Sequence, residues 1–127
     1  MGRQLKVFAG QSNPELALSI CASIGIDPGL IEYVCFSNEN IKVKICENVR
    51  GCDVFFIQTS CPSVSDNLME LLIALDALKY ASAGRITAVL PYYPYALADS
   101  KDEPRISVAS RLMADLVAEA GADRILT

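Results

Sequence analysis

The order of apolar and polar residues predicts a chain in which short strands alternate with longer helices. Helical spacing of apolar side chains extends from Pro14 to Gly25, from Asp66 to about Ala81, and from Ser107 to Ala120. Short apolar runs predict strands at 4–9, 31–36, 41–45, 53–58 and 86–90, and a last strand begins at Arg124. This order of elements is typical of a three-layer α/β domain with a mostly parallel sheet.

The ends of the predicted helices carry their own signals. The segment Ser12-Asn13-Pro14-Glu15 gives the first helix a capping side chain, a proline at its first position and an acid in its first turn. Gly84 is expected to close the second helix as a C-cap, and Gly121 is expected to close the third.

Two strand patterns differ in a way that predicts their positions. The apolar residues of 41–45 alternate with Lys42 and Lys44, and a polar segment at 37–40 joins this strand to the preceding one as a hairpin. The run at 53–58 is continuously apolar, which suits a central parallel strand covered on both faces. Because ligands bind beyond the carboxyl ends of such strands, we expect a site near 10–13, 59–66 and 92–105.

Length and charge narrow the class of protein. The 127 residues, 52% apolar and 20% charged, predict one globular domain over 1–127. A net charge of -4 without a Lys/Arg run argues against a nucleic-acid partner. The longest apolar stretch, 68–78, contains Glu70 and Asp76 and is shorter than the ~20 residues of a membrane span. A cytoplasmic protein with no membrane partner is therefore expected.

Cysteine and histidine usage exclude several kinds of site. The five cysteines have irregular spacings without a C-x-x-C pair, so reduced and mostly buried thiols are expected rather than a zinc or redox site. The absence of histidine removes Ser-His-Asp and Cys-His nucleophiles and H-E-x-x-H metal sites. No catalytic residue and no metal ligand is predicted. The hydroxyls at 59–65 could hold a phosphate at a helix entrance, although capping is their more common role.

Four longer strings share a resemblance that single motifs do not show. They are FAGQSNPELA (8–17), ENVRGCDVFFIQTSC (47–61), DNLMELLIALDALKYASAGRITAVLPYYPYA (66–96) and AGADRILT (120–127). Together they closely resemble the N-terminal half of the ribose-phosphate pyrophosphokinase (PRPP synthetase) family. The resemblance implies a phosphoribosyltransferase-like half-fold. It also implies that the full enzyme transfers the pyrophosphoryl group of Mg-ATP to the C1 hydroxyl of ribose 5-phosphate, in a hexamer whose neighbours share the ATP site. Magnesium and ATP are thus cofactors of the full enzyme, and none is assigned to this chain.

The resemblance implies nucleotide contacts in two segments. A hairpin of the family reaches the adenine pocket of a neighbouring subunit; Phe36 and Asn38 match its pattern, and Asn40 stands where the family has Glu. After PYxxYA the family has Arg-Gln-Asp, of which this chain keeps Asp99 and replaces the first two by Leu97-Ala98. Losing the arginine removes a fixed charge and a five-donor fork from beside a polyphosphate.

A regulatory ADP/phosphate site is the third implied feature. Arg50 and Arg105 match arginines that hold phosphate there in the family, and Asn48 stands where some members place Ser. Both arginines are also in loops, where solvated charges are common.

Three functions are open on these grounds. The preferred one is a noncatalytic or regulatory subunit, because the ATP-contacting pair is replaced and the sequence stops at Thr127, before the family's Asp-Leu-His segment and its second half. The alternatives are an N-terminal fragment of an active synthetase and a stand-alone nucleotide- or phosphate-binding module. The expected partners are further copies of the chain or a full-length PRPP synthetase.

Overall fold

The computed structural model describes residues 3–37, 40–59, 64–91 and 109–127. Its elements follow the predicted order and have these bounds: β1 Leu5–Ala9, α1 Pro14–Ile24, β2 Ile31–Cys35, β3 Ile41–Ile45, β4 Asp53–Ile57, α2 Val64–Tyr80, β5 Arg85–Val89, α3 Ala109–Ala120 and β6 Arg124–Leu126.

The main sheet is parallel throughout, with strand order β1-β4-β5-β6. β2 and β3 form a separate antiparallel hairpin in which Ile31 is paired with Ile45 and Cys35 with Ile41. The predicted α/β fold with a mostly parallel sheet and a hairpin is confirmed.

The two faces of the sheet are covered by different elements. On one face α2, α3 and the hairpin enclose a large core that includes Phe8, Phe56 and Leu75, each fully buried. On the other face α1 packs Ala17 and Cys21 against β1 and β4. Because β4 contributes to both cores, its sequence is apolar at successive positions, as predicted for a central parallel strand.

The start of α1 and the end of α3 confirm predicted signals. The side-chain oxygen of Asn13 accepts a hydrogen bond from the Leu16 amide at 3.2 Å, and Pro14 occupies the first turn of α1. Gly25 ends α1 with φ 77°, and Gly121 follows α3 with φ 139°.

The prediction that Gly84 caps α2 is wrong. Ser82, with φ 64°, is the left-handed residue after this helix, and the Ala83 amide donates to the Leu78 carbonyl at 3.2 Å. Gly84 is glycine for another reason: a Cβ there would lie 2.7 Å from the carbonyl oxygen of Gly51. The backbones before β4 and β5 approach each other too closely for a side chain.

The prediction of mostly buried thiols holds for only half of the described cysteines. Cys21 and Cys52 are buried, whereas Cys35 and Cys46 are exposed. The exposed pair belongs to the hairpin, whose outer side faces solvent; Cys61 lies outside the described residues. Within the described ranges no helix is long and apolar enough to cross a membrane.

Candidate functional site

The carboxyl ends of β1 and β4 meet at one edge of the sheet, where the sequence predicts a binding site. Gly10 follows β1 and its amide donates to the Ile57 carbonyl at 2.8 Å. Gln58 follows β4, and its side chain points into the protein with only 2% of its surface exposed. A buried amide side chain requires hydrogen-bond partners.

Gln58 joins three segments through those partners. The amide and hydroxyl of Ser12 both donate to Gln58 Oε1, the amide at 3.3 Å. Gln58 Nε2 donates to the carbonyl of Asn67 in α2 at 3.1 Å. The Thr59 amide in turn donates to Ser12 Oγ at 2.8 Å. The loop after β1, the loop after β4 and the first turns of α2 are therefore fixed relative to one another.

The position of the Gln58 side-chain amide requires a glycine at position 10. A Cβ on Gly10 would lie 2.0 Å from Gln58 Oε1 and 2.5 Å from its Cδ. Because Gln58 is held by its own hydrogen bonds, it has little freedom to move aside.

A buried carboxyl group lies beside this network. Glu70 in α2 is 4% exposed, and its Oε1 accepts the Gln11 amide at 2.8 Å. Burial raises the pKa of Glu70 above its ordinary value, although hydrogen bonds from the Gln11 amide and the Gln58 side chain act in the opposite direction. Tyr33 of β2 donates its hydroxyl to the Ala9 carbonyl, and burial, followed by the nearby Glu70 charge, raises the pKa of this phenol.

Glu70→Gln is expected to remove a pH dependence from stability. With a raised pKa in the folded state, the parent gains most stability from Glu70 below the ordinary value of 4.5 and loses it as the pH rises through the folded value. The amide keeps an acceptor for Gln11 without a buried charge. The variant should therefore gain stability relative to the parent toward neutral pH, by about 1 kcal/mol, the scale of one buried polar group.

Urea unfolding between pH 4 and 8 measures this difference. Asp76→Asn, which removes an exposed carboxylate from the same helix, is the control and should leave the profile of the parent in place. Parallel profiles for the parent and Glu70→Gln would contradict the prediction.

An open groove of about 920 Å³ lies beside this network, between the turn end of the hairpin and α2. Phe36 and Asn40 line its hairpin side, and Asp66, Met69 and Glu70 line its helix side. The Phe36 amide donates to the Asn40 carbonyl at 2.8 Å, and the Phe36 ring is 49% exposed. Two of the three predicted adenine-pocket residues are thus close together and accessible, whereas Asn38 lies outside the described residues.

The predicted regulatory residues lie at the opposite edge of the sheet. Asn48 and Arg50 are exposed and precede β4; Asn48 Oδ1 accepts the Arg50 amide at 3.0 Å. Arg50 also forms a bridge with Ala83, which precedes β5. Arg105 and Asp99 lie outside the described residues.

Sequence reasoning did not single out Gln58, Ser12, Glu70 or Tyr33. A signal was present for two of them, because Gln58 ends an apolar strand and Glu70 interrupts an apolar helix. A polar residue in such a place is usually hydrogen-bonded or functional. The predicted site at 10–13 and 59–66 places Ser12 near Gln58, but nothing in the pattern indicates that Tyr33 lies beside Glu70.

The parallel sheet, the helices that cover it and the antiparallel hairpin define a phosphoribosyltransferase-like α/β half-fold. The family profile described as the N-terminal domain of ribose phosphate pyrophosphokinase matches residues 5–121. The chain belongs to the ribose-phosphate pyrophosphokinase family, as the resemblance implied.

Relatives and a solved structure agree with this assignment. A ribose-phosphate pyrophosphokinase of Deinococcus radiodurans is 54% identical over 123 residues, covering 97% of this chain and 38% of that protein. Ribose-phosphate pyrophosphokinase 1 of Spinacia oleracea is 49% identical, covering 97% of this chain and 37% of that protein. The crystal structure of phosphoribosylpyrophosphate synthetase from Mycobacterium smegmatis matches with a TM-score of 0.94 and 45% identity, over 97% of this chain and 41% of that one. The chain thus spans about two fifths of the length of these relatives.

Proposed function

We propose that this chain is a noncatalytic subunit of a ribose-phosphate pyrophosphokinase assembly in the cytoplasm. The observation that carries the proposal is the contrast between two nucleotide segments. The hairpin keeps Phe36 exposed beside an open groove, in a position to contact another subunit. The ATP loop has lost its arginine and glutamine to Leu97-Ala98. The hairpin of such a chain would contact the adenine pocket of a neighbouring subunit, while the chain itself would not bind ATP productively.

In this proposal the family's cofactors, ATP and magnesium, are bound by the full-length partner and not by this chain. ATP supplies the pyrophosphoryl group in the full enzyme, and magnesium offsets the charge of its phosphates. The described residues contain no cluster of three or more acids, cysteines or histidines that could hold a metal ion. The residues of this chain that fit a nucleotide are Phe36, whose ring can stack on a base, and Asn40, whose amide can hydrogen-bond. No reaction step is assigned to this chain.

An N-terminal part of an active synthetase is the second candidate. The identity of 54% over 123 residues with an enzyme of this name favours it, because the similarity is spread over nearly the whole chain. The predicted regulatory residues do not separate the two candidates. Arg50 is exposed and could meet an anion whether the chain is a noncatalytic subunit or part of an active synthetase.

The isolated chain is expected to form no phosphoribosyl pyrophosphate from ATP and ribose 5-phosphate. The first reason is that the chain matches only 38% of the length of the Deinococcus radiodurans enzyme, so the assay lacks the rest of such an enzyme. The second is the missing charge at position 97, where stabilisation of a developing phosphate charge is commonly worth several kcal/mol. A coupled assay of Mg-dependent AMP release across gel-filtration fractions measures this. Release that follows the chain through the column would contradict the prediction.

The double replacement of Leu97 and Ala98 separates the two candidates when it is made in the full-length protein. Replacing Leu97-Ala98 by Arg-Gln should leave the isolated chain inactive in both cases. The two candidates differ in the full-length protein that contains this chain. If the chain is part of an active synthetase, that protein is active with Leu97-Ala98 in place. If that protein is active only after Leu97-Ala98 is replaced by Arg-Gln, the result supports the noncatalytic role.

A further inference from the structure

The two ends of the hairpin differ in how they meet the rest of the protein. Three of its apolar side chains, in its middle or at the end away from the turn, pack against the main core: Ile31, Val43 and Ile45. The turn end, formed by Cys35, Phe36, Asn40 and Ile41, lines the open groove beside α2 instead. A segment that borders an open groove has less apolar burial to hold it in one orientation.

Tyr33 lies at the boundary between these two parts of the hairpin. It is paired with Val43 in the middle of the hairpin and is half-buried. Its hydroxyl donates to the carbonyl of Ala9, the last residue of β1. The hairpin and the main sheet are separate sheets, so this hydrogen bond joins one sheet to the other directly before the turn end.

The acceptor of this bond belongs to a segment that is itself held in place. The Gly10 amide donates to the Ile57 carbonyl at 2.8 Å, and the Gln11 amide donates to Glu70 Oε1 at 2.8 Å. Glu70 also lines the helix side of the groove. The segment after β1 is therefore bonded to both sides of the groove, to the hairpin through Ala9 and to α2 through Gln11.

We propose that Tyr33 is a positioning residue whose bond to Ala9 holds the turn end of the hairpin over the groove and so orients the Phe36 ring toward the base that it contacts. The identity of that contact rests on the proposed function. What is added is the group that sets the orientation of the hairpin. A tyrosine suits this role, because its rigid ring leaves only two side-chain torsions between the backbone and the bonding hydroxyl.

Hydrogen exchange of single amides in the isolated chain tests whether Tyr33 fixes the turn end. Tyr33→Phe keeps the ring and removes the hydroxyl. The Phe36 amide, which donates to the Asn40 carbonyl at 2.8 Å, should exchange about fivefold faster, the effect of losing one ordinary hydrogen bond. The Cys46 amide, which donates to the Leu30 carbonyl at 2.8 Å at the other end of the hairpin, should exchange at the rate of the parent.

Tyr80→Phe is the matched control for the exchange measurement. It removes a hydroxyl from a tyrosine that is 82% exposed at the end of α2, and both amides should exchange as in the parent. Equal exchange of the Phe36 amide in the parent and in Tyr33→Phe would overturn the proposal. A rise of the same size at Cys46 would also overturn it, because Tyr33 would then stabilise the whole hairpin rather than position its turn end.

The Michaelis constant for ATP tests whether this orientation is used in an assembly. The full-length Deinococcus radiodurans enzyme is assayed with an excess of the chain. Relative to the parent chain, Tyr33→Phe should raise KM for ATP about fivefold and leave kcat unchanged, because a misplaced contact to the base weakens binding equally in the ground state and in the transition state.

A double variant separates positioning from an independent effect of Tyr33. Tyr33→Phe combined with Phe36→Ala should give the KM of Phe36→Ala alone, because Tyr33 acts through Phe36. Additive rises in KM would contradict the proposal. If the parent chain leaves the KM of the enzyme unchanged, the proposed function fails, whereas the exchange measurement still decides whether Tyr33 positions Phe36.

Discussion

Gly10→Ala is expected to lower the free energy of unfolding by about 3 kcal/mol, the upper end of the cost of overpacking a closed site. The added methyl group would lie 2.0 Å from Gln58 Oε1. Gln58 can retreat only by giving up its bonds to Ser12 and Asn67, and each buried hydrogen bond is worth about 1 kcal/mol. Urea unfolding at neutral pH measures the loss.

Gly25→Ala is the matched control for this substitution. Gly25 has φ 77°, but a Cβ there would have nothing within 4 Å, so alanine meets backbone strain without a collision. That strain costs about 1 kcal/mol. If Gly10→Ala lowered the free energy of unfolding no more than Gly25→Ala, the close packing of Gln58 against Gly10 would be contradicted.

Arg50→Ala is expected to weaken binding of sulfate or ADP at least tenfold. Asn48 Oδ1 accepts the Arg50 amide, which holds Asn48 beside Arg50, and the exposed Arg50 guanidinium supplies the positive charge that meets an anion. A charge-assisted hydrogen bond contributes about 1.5–3 kcal/mol, which corresponds to at least a tenfold change in affinity. We propose that Arg105 acts with it, so Arg105→Ala should have a similar effect.

Thermal melting with increasing sulfate or ADP measures this binding. Ligand at about 100 times its dissociation constant should stabilise the parent by about 2.7 kcal/mol. Arg111→Ala, which removes another exposed arginine, should respond like the parent. A ligand-induced shift that persists undiminished in Arg50→Ala and Arg105→Ala would rule out this site, and no shift in the parent would favour a structural role.

Most of the fold could be predicted because local signals agree with the tertiary structure. Asn13 and Pro14 start α1 as expected, since capping depends on neighbours along the chain. The alternation of Lys42 and Lys44 with apolar residues predicts a half-exposed strand, and β3 has this burial pattern. The continuous apolar run of β4 predicts a central position, which it occupies between β1 and β5.

The parts that could not be predicted depend on contacts distant in sequence. Gly84 follows a helix, where glycine is commonly a cap, yet its role is a close approach to Gly51. The Gln58 network joins residues separated by 46 positions, as in the bond from Ser12, and no periodicity reports such a pair. The sequence of a short strand such as β6 also does not indicate how much of its sheet face a helix covers, so the exposure of Leu126 appears only in the structure.

Sedimentation with a full-length relative tests the proposal that this chain is a subunit of a pyrophosphokinase assembly. Labelled chain is mixed with the Deinococcus radiodurans enzyme, to which it is 54% identical, and the specific activity of the mixture is assayed. We expect that the label sediments with the enzyme, that activity per enzyme subunit changes, and that Phe36→Ala weakens both effects. A label that sediments as a lone monomer at tens of micromolar, beside an enzyme of unchanged activity, would contradict it.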